Sequence, residues 1–176
     1  LPSVQLREIF LMNRLKRLPL LIMLTADNQL ILRDMEENPR RKSEIAQIDG
    51  NFEVAAFDKF FNHLYVVNSS DLKTIKFMDR KLTLKTAVTT TGKVMDIVCG
   101  HHSSFQTDVD SDMIKGYIAA HTNHNGLHRI ELFWITTRQS QIKVLHTEVF
   151  SLSVMHNALN QSYNLTLGVN HSQLHK

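Results

Sequence analysis

Apolar residues in this chain come in short runs separated by polar turn-formers. Val54–Phe57, Leu64–Val67 and Leu72–Phe77 are three such runs in succession. Runs of four to six β-branched and apolar residues between Asn, Asp and Ser read as strands. Upstream, Arg7–Met12 reads as a strand, Leu20–Thr25 and Leu30–Arg33 as a hairpin turning at Asp27-Asn28, and Ile45–Ile48 as a short outer strand. The charged, Pro-containing stretch Glu36–Ser43 reads as an exposed loop, and Asp49-Gly50-Asn51 as a turn. Downstream, Leu82–Val88, Val94–Cys99, Tyr117–His121, Leu127–Ile135 and Ile142–Leu145 are further strands, with turns at Thr89–Lys93 and Asn123–Gly126. Gly100–Asp112 has no periodicity and many turn-formers, so a long inserted loop is expected there. Glu148–Met155 and Tyr163–Val169 complete the set. No run has the 3.6-residue period of a helix of about 10–14 residues, so the chain is expected to be all-β.

The strands repeat. Leu30–Asp34 aligns with Thr74–Asp79, their terminal Asp residues 45 positions apart, within the roughly 40–45 residues of a four-stranded propeller blade. Ile135 follows Asp79 by 56 positions, and the excess is about the size of the inserted loop. Within this frame Met78-Asp79 stands where a WD40 repeat carries its aromatic-Asp pair, and the chain resembles β-propeller repeats of that kind. Phe57-Asp58, Leu64-Tyr65 and Ile75 also resemble the YWTD propeller repeat of lipoprotein-receptor relatives. The resemblance implies a partial β-propeller of about three and a half four-stranded antiparallel blades in a single domain, residues 1–176. The approximate blades are 1–49, 50–93, 94–147 and an incomplete 148–176. It also implies a piece of a longer chain, or a propeller completed by a partner. Near-continuous apolar runs such as Leu20–Leu24 and Leu64–Val67 fit strands covered on both faces.

Composition narrows the partners. Of 176 residues, 43% are hydrophobic and 21% charged, which is ordinary for a chain with one sizeable core. Twenty Lys+Arg against 17 Asp+Glu leave a net charge of +3, which disfavours nucleic acid as a partner on overall charge. The longest apolar run, Leu18–Leu24, contains Pro19 and falls well short of the roughly 20 residues of a membrane span. A single Cys99 precludes an internal disulfide and leans toward a reducing, intracellular compartment, cytoplasmic or nuclear. Asn68, Asn160, Asn164 and Asn170 head N-glycosylation acceptor triplets, which matter only if the chain is secreted.

The candidate chemistry is sparse. His101, His102, His121, His124 and His128 lie within 28 residues, yet neither a Cys pair nor a His-Glu-x-x-His run accompanies them, so turn and surface histidines are expected and no metal. Asp108, Asp110 and Asp112 alternate as calcium ligands do, but Met113 and Ala119 stand where a calcium loop needs Gly and Glu. Cys99 precedes Gly100-His101, but adjacency in sequence does not make a Cys–His dyad, and a buried strand cysteine is expected. No nucleophile-elbow, phosphate-loop or dinucleotide signature occurs. Two basic clusters, Arg14, Lys16, Arg17 and Arg40, Arg41, Lys42, are candidate partner-binding residues in loops.

These features lead to a non-catalytic protein–protein interaction scaffold, a propeller module within a larger assembly, without cofactor and with other protein subunits as partners. The alternative is an extracellular, glycosylated YWTD-like receptor or ligand-binding propeller.

Overall fold

A computed structural model describes residues 4–14, 17–35, 45–101, 114–138 and 141–151. Twelve strands and no helix make up the described chain. They are β1 (Leu6–Arg14), β2 (Arg17–Thr25), β3 (Leu30–Asp34), β4 (Ile45–Ile48), β5 (Phe52–Asp58), β6 (His63–Asn68), β7 (Asp71–Met78), β8 (Leu84–Thr89), β9 (Lys93–His101), β10 (Ile114–His124), β11 (Leu127–Arg138) and β12 (Gln141–Ser151). Each consecutive set of four forms one antiparallel sheet in chain order: β1–β4, β5–β8 and β9–β12. We refer to these as sheets 1, 2 and 3.

The expected repeat is present at the level of the sheets. Leu30–Asp34 and the segment ending at Met78 are the third strands of sheets 1 and 2, and Leu127–Arg138 is the third strand of sheet 3. Several boundaries differ from the sequence reading. Leu82 is not in a strand: it takes a left-handed φ of 60° in the turn before β8, while its side chain packs on the core between sheets 1 and 2. That conformation costs an L-residue about 1–2 kcal/mol, and burial of the leucine offsets it. Gly100 and His101 belong to β9, so the expected loop does not begin at Gly100; 102–113 lie outside the described residues. Residues 148–151 continue β12, paired with Arg129–Leu132, so a fourth four-stranded unit does not begin at Glu148. Met155 and Tyr163–Val169, and the loop expected at Glu36–Ser43, lie outside the described residues.

Sheet 2 is the middle of a stack, because successive residues of a strand face opposite sides. Leu64, Val66 and Met78 join Met12, Leu20, Ile22, Leu24, Leu30 and Leu32 in one core between sheets 1 and 2. Tyr65, Val67, Ile75 and Phe77 join Val94, Ile97, Ile118, Ala120, Phe133 and Ile135 in a second core between sheets 2 and 3. Hence β6 is buried at five consecutive positions. Burying a side chain such as Ile75 or Phe77 contributes about 1.5–3 kcal/mol.

Polar groups fix how the sheets meet. Asn62, in a left-handed conformation at φ 58°, aims its amide at β1: its Oδ1 accepts from the Asn13 N–H (2.8 Å) and its Nδ2 donates to the Asn13 carbonyl (2.7 Å). The Phe52 N–H donates to the Asn28 carbonyl at 2.8 Å, and Arg7 donates to the Glu53 carbonyl at 2.9 Å. At the connection from sheet 2 to sheet 3, the buried Glu131 carboxylate of β11 accepts from the Thr91 N–H (3.0 Å) and hydroxyl (2.7 Å) in the β8–β9 turn and, within sheet 3, from the Thr122 hydroxyl (2.9 Å). Gly116 lets β10 approach: a Cβ there would meet the Phe61 ring of the β5–β6 turn and sit 2.9 Å from the Gly100 carbonyl.

Candidate interaction surfaces

A stack of three sheets has two outer faces, and both carry rows of apolar side chains here. On sheet 1 the residues opposite to the core-facing ones are Ile9 and Leu11 of β1, Leu21 and Met23 of β2, and Ile31 of β3, which the register lines up as Ile9, Met23, Ile31 and as Leu11, Leu21. Ile9 and Leu11 are 56% and 51% exposed, and the other three half-buried. The apolar run Leu20–Leu24 was expected to be covered on both sides, but only Leu20, Ile22 and Leu24 are buried. Its second apolar side is the open face.

Sheet 3 presents Val98, Ala119 and Leu132 in one register row, and Tyr117 and Trp134 in another, with their rings packed edge to face at 6.1 Å. Phe150 lies across from Ile130. Val98 is 58% exposed and Phe150 45%. Asp96 and His121 share the next row. His121 Nε2 lies 2.8 Å from His128 Nδ1, so one proton is shared between two rings, and burial followed by the neighbouring imidazole lowers the His121 pKa. Singly scattered surface leucines are ordinary, whereas a contiguous apolar face marks a contact.

The predicted partner-binding residues fare unevenly. Arg14 is spent inside the fold: it ion-pairs with Asp34, its Nη1 donates to Asp34 Oδ2 at 3.2 Å, and it donates twice to the Leu18 carbonyl. Arg17 lies in β2; Lys16, Arg40, Arg41 and Lys42 lie outside the described residues. Of the acceptor asparagines, Asn68 ends β6 with its Oδ1 accepting from the Ser70 N–H at 3.0 Å. Its Nδ2, the atom a glycan would need, is 2.6 Å from where a Cβ on Gly50 would stand, which leaves no room for a sugar toward Gly50. Asn160, Asn164 and Asn170 lie outside the described residues, as do His102 and Asp108, Asp110 and Asp112.

Of the described histidines, only His121 and His128 come together. His101 stacks on Phe60 at 4.0 Å, and His124 Nδ1 lies 3.0 Å from the Thr91 carbonyl. Among the described residues no group of three or more His, Cys, Asp or Glu side chains is arranged to hold a metal ion. Cys99 packs against the core between sheets 2 and 3, where burial, reinforced by the Asp58 carboxylate, pushes its thiol up to about 12. At neutral pH it is a thiol, the unreactive form.

Sequence reasoning missed Asn62 and Glu131. The Asn62 signal was present as Asn in a turn, a residue that tolerates the left-handed region. Glu131 gave none, because a single charged residue in an apolar strand does not announce its partners. No helix among the described residues is long and apolar enough to cross a membrane. No family model matches the chain, and neither any curated protein nor any solved structure matches it.

Proposed function

We propose that the chain is a β-propeller module whose work is binding other proteins, with the three sheets as successive blades. The observation that carries this reading is the pair of open apolar faces, Ile9, Leu11, Leu21, Met23 and Ile31 at one end and Val98, Leu132, Trp134 and Phe150 at the other. The four-strand meander repeated three times and the cores between successive sheets support the blade reading. A scaffold role fits the polar ties at Asn62, which joins sheet 2 to β1, and at Glu131, which joins sheet 3 to the β8–β9 connection. The Cys99 thiol, pushed up to about 12, is not an activated nucleophile.

The test is co-purification from the native source with quantitative mass spectrometry. Partners present in stoichiometric amount with the native chain should fall away when Ile9→Glu or Val98→Glu places a carboxylate on one open face. Substituting the exposed Lys73, which lies on neither face, should leave them in place. Identical partner sets for native protein and face variants would overturn the proposal.

A further inference from the structure

We infer that β12 is a pairing edge: two copies of this chain join antiparallel through it, so that their two sheets 3 become one continuous eight-stranded sheet. The open apolar faces play no part in this joint. Each sheet ends on one side in its fourth strand, and the three ends differ in length. β4 has 4 residues and β8 has 6, whereas β12 has 11 and contains no proline. Very short edge strands resist pairing, while a long one presents a row of unpaired N–H and C=O groups that recognises extended backbone. Among the described residues no strand lies beyond β12. The side chains show the same gap. Val144 and Val149 stand opposite Ile135 and Glu131 on the side of the sheet that faces sheet 2, yet they are 37% and 49% exposed. A strand beyond β12 covers both.

The bulge and the charges of β12 identify the occupant as a second copy. Leu145 is an extra residue with no counterpart in β11, because Val144 pairs with Ile135 and His146 with Trp134. Ile142, Val144, Thr147 and Val149 therefore lie on the core side, and Lys143, His146, Glu148 and Phe150 on the outer side. Leu145 and His146 separate two core-side residues, Val144 and Thr147, where a regular strand has a single residue. A regular peptide would set one residue against two at that point. A second copy running antiparallel, with its two-fold axis between Leu145 and His146, sets two against two. In that register the pairs on both arms of the strand meet on matching faces. Lys143 lies opposite Glu148 of the second copy on the outer side; Ile142 lies opposite its Val149, and Val144 opposite its Thr147, on the core side. Symmetry makes each pair occur twice. Lys143 and Glu148 are the charged side chains of β12, and its other titratable group, His146, has Nε2 3.3 Å from Glu148 on the same strand. Registers that put Glu148 against Glu148, or Lys143 against Lys143, bring like charges together and are disfavoured. An isologous contact of this kind closes at two copies.

The experiment is charge reversal read by sedimentation equilibrium of the full chain at low ionic strength, with circular dichroism to confirm that each variant is folded. The unmodified chain should sediment at about twice 20.3 kDa. Lys143→Glu and Glu148→Lys, each alone, set two like-charged pairs in the joint and should weaken dimerisation about tenfold. An equimolar mixture of the two variants should recover the native dissociation constant, because both pairs in the mixed dimer are again of opposite sign. The double reversal, Lys143→Glu with Glu148→Lys, should recover it as well. A monomeric native chain, a dimer indifferent to both single reversals, or a mixture that associates no better than its components would overturn the proposal. Hydrogen exchange on the native chain needs no variant and decides the matter should one fail to fold. Protection of the 141–150 amides should rise with protein concentration while that of β4 stays constant; exchange at 141–150 that is independent of concentration would sink the pairing edge.

Discussion

Replacing Asn62 tests whether a single side chain holds sheet 1 against sheet 2. Its amide makes two hydrogen bonds to the Asn13 backbone, 49 residues away, and the side chain is 3% exposed. Asn62→Ala removes both bonds, at about 0.5–1.5 kcal/mol each. It also places alanine at φ 58°, where an L-residue without a local hydrogen-bonding side chain loses about 1–2 kcal/mol. The expected loss is therefore about 2–5 kcal/mol. Asn62→Gly separates the two contributions, since glycine adopts positive φ freely. Glycine should lose only the hydrogen-bond part, about 1–3 kcal/mol, and be more stable than alanine at the same position. The assay is urea unfolding of all three proteins at one concentration, so that any association contributes equally. Hydrogen exchange adds a local readout: the amides of β1 and β2 should exchange faster in Asn62→Ala, while those of β10 and β11 stay protected. An Asn62→Ala loss below about 0.5 kcal/mol, the range of ordinary surface substitutions, would refute the argument. Glycine less stable than alanine would refute the backbone part of it.

Three further outcomes are expected. Ile75→Ala should cost about 2–5 kcal/mol in the same urea assay, because Ile75 is fully buried between sheets 2 and 3; a loss under about 0.5 kcal/mol would place it at a surface. Stability should fall as the pH drops below about 6.5, because burial lowers the His63 pKa against the opposing pull of Asp58 and Asp79, so the unfolded chain binds the proton first. This stabilisation is fully present above the unfolded value, and His63→Gln should flatten the profile between about pH 7.5 and 5; an unchanged slope would assign the acid sensitivity elsewhere. Cys99 should react with iodoacetamide far more slowly at pH 8 than a free thiol does, and catch up only after unfolding in urea; a fast native rate would contradict its thiol being pushed up to about 12.

Much of the all-β architecture was legible because sheet geometry leaves local marks. Asp27-Asn28 between two apolar runs became the β2–β3 turn with Asn28 at φ 65°, and Asn125-Gly126 became a hairpin with both φ angles positive, the combination a type I′ turn requires. The spacing of Asp34 and Asp79 found equivalent third strands because each repeat spends a similar length on four strands. What failed was reading pairing from composition. Val149-Phe150 reads as the start of a strand as well as its continuation, and only the partners across the ladder, Ile130 and Glu131, show that it extends β12. Leu82 misled for the converse reason: its hydrophobicity belongs to burial in a core, while its backbone belongs to a turn.

The candidate surfaces were hidden by the same ambiguity. An apolar run such as Leu20–Leu24 states that both sides of a strand avoid water, without stating whether this chain supplies both covers. In β6 it does, and five consecutive residues are buried. In β2 the described residues supply one, and burial alternates while the hydrophobicity does not. The mismatch between a continuous apolar sequence and an alternating burial pattern therefore measures what sheet 1 is missing. Basic clusters drew attention because charge is conspicuous in a sequence, yet Arg14 is consumed by Asp34 and the Leu18 carbonyl. The proposed contact surface rests instead on Ile9, Leu11, Leu21, Met23 and Ile31, residues whose sequence pattern is that of a core and which the described residues leave exposed or half-buried.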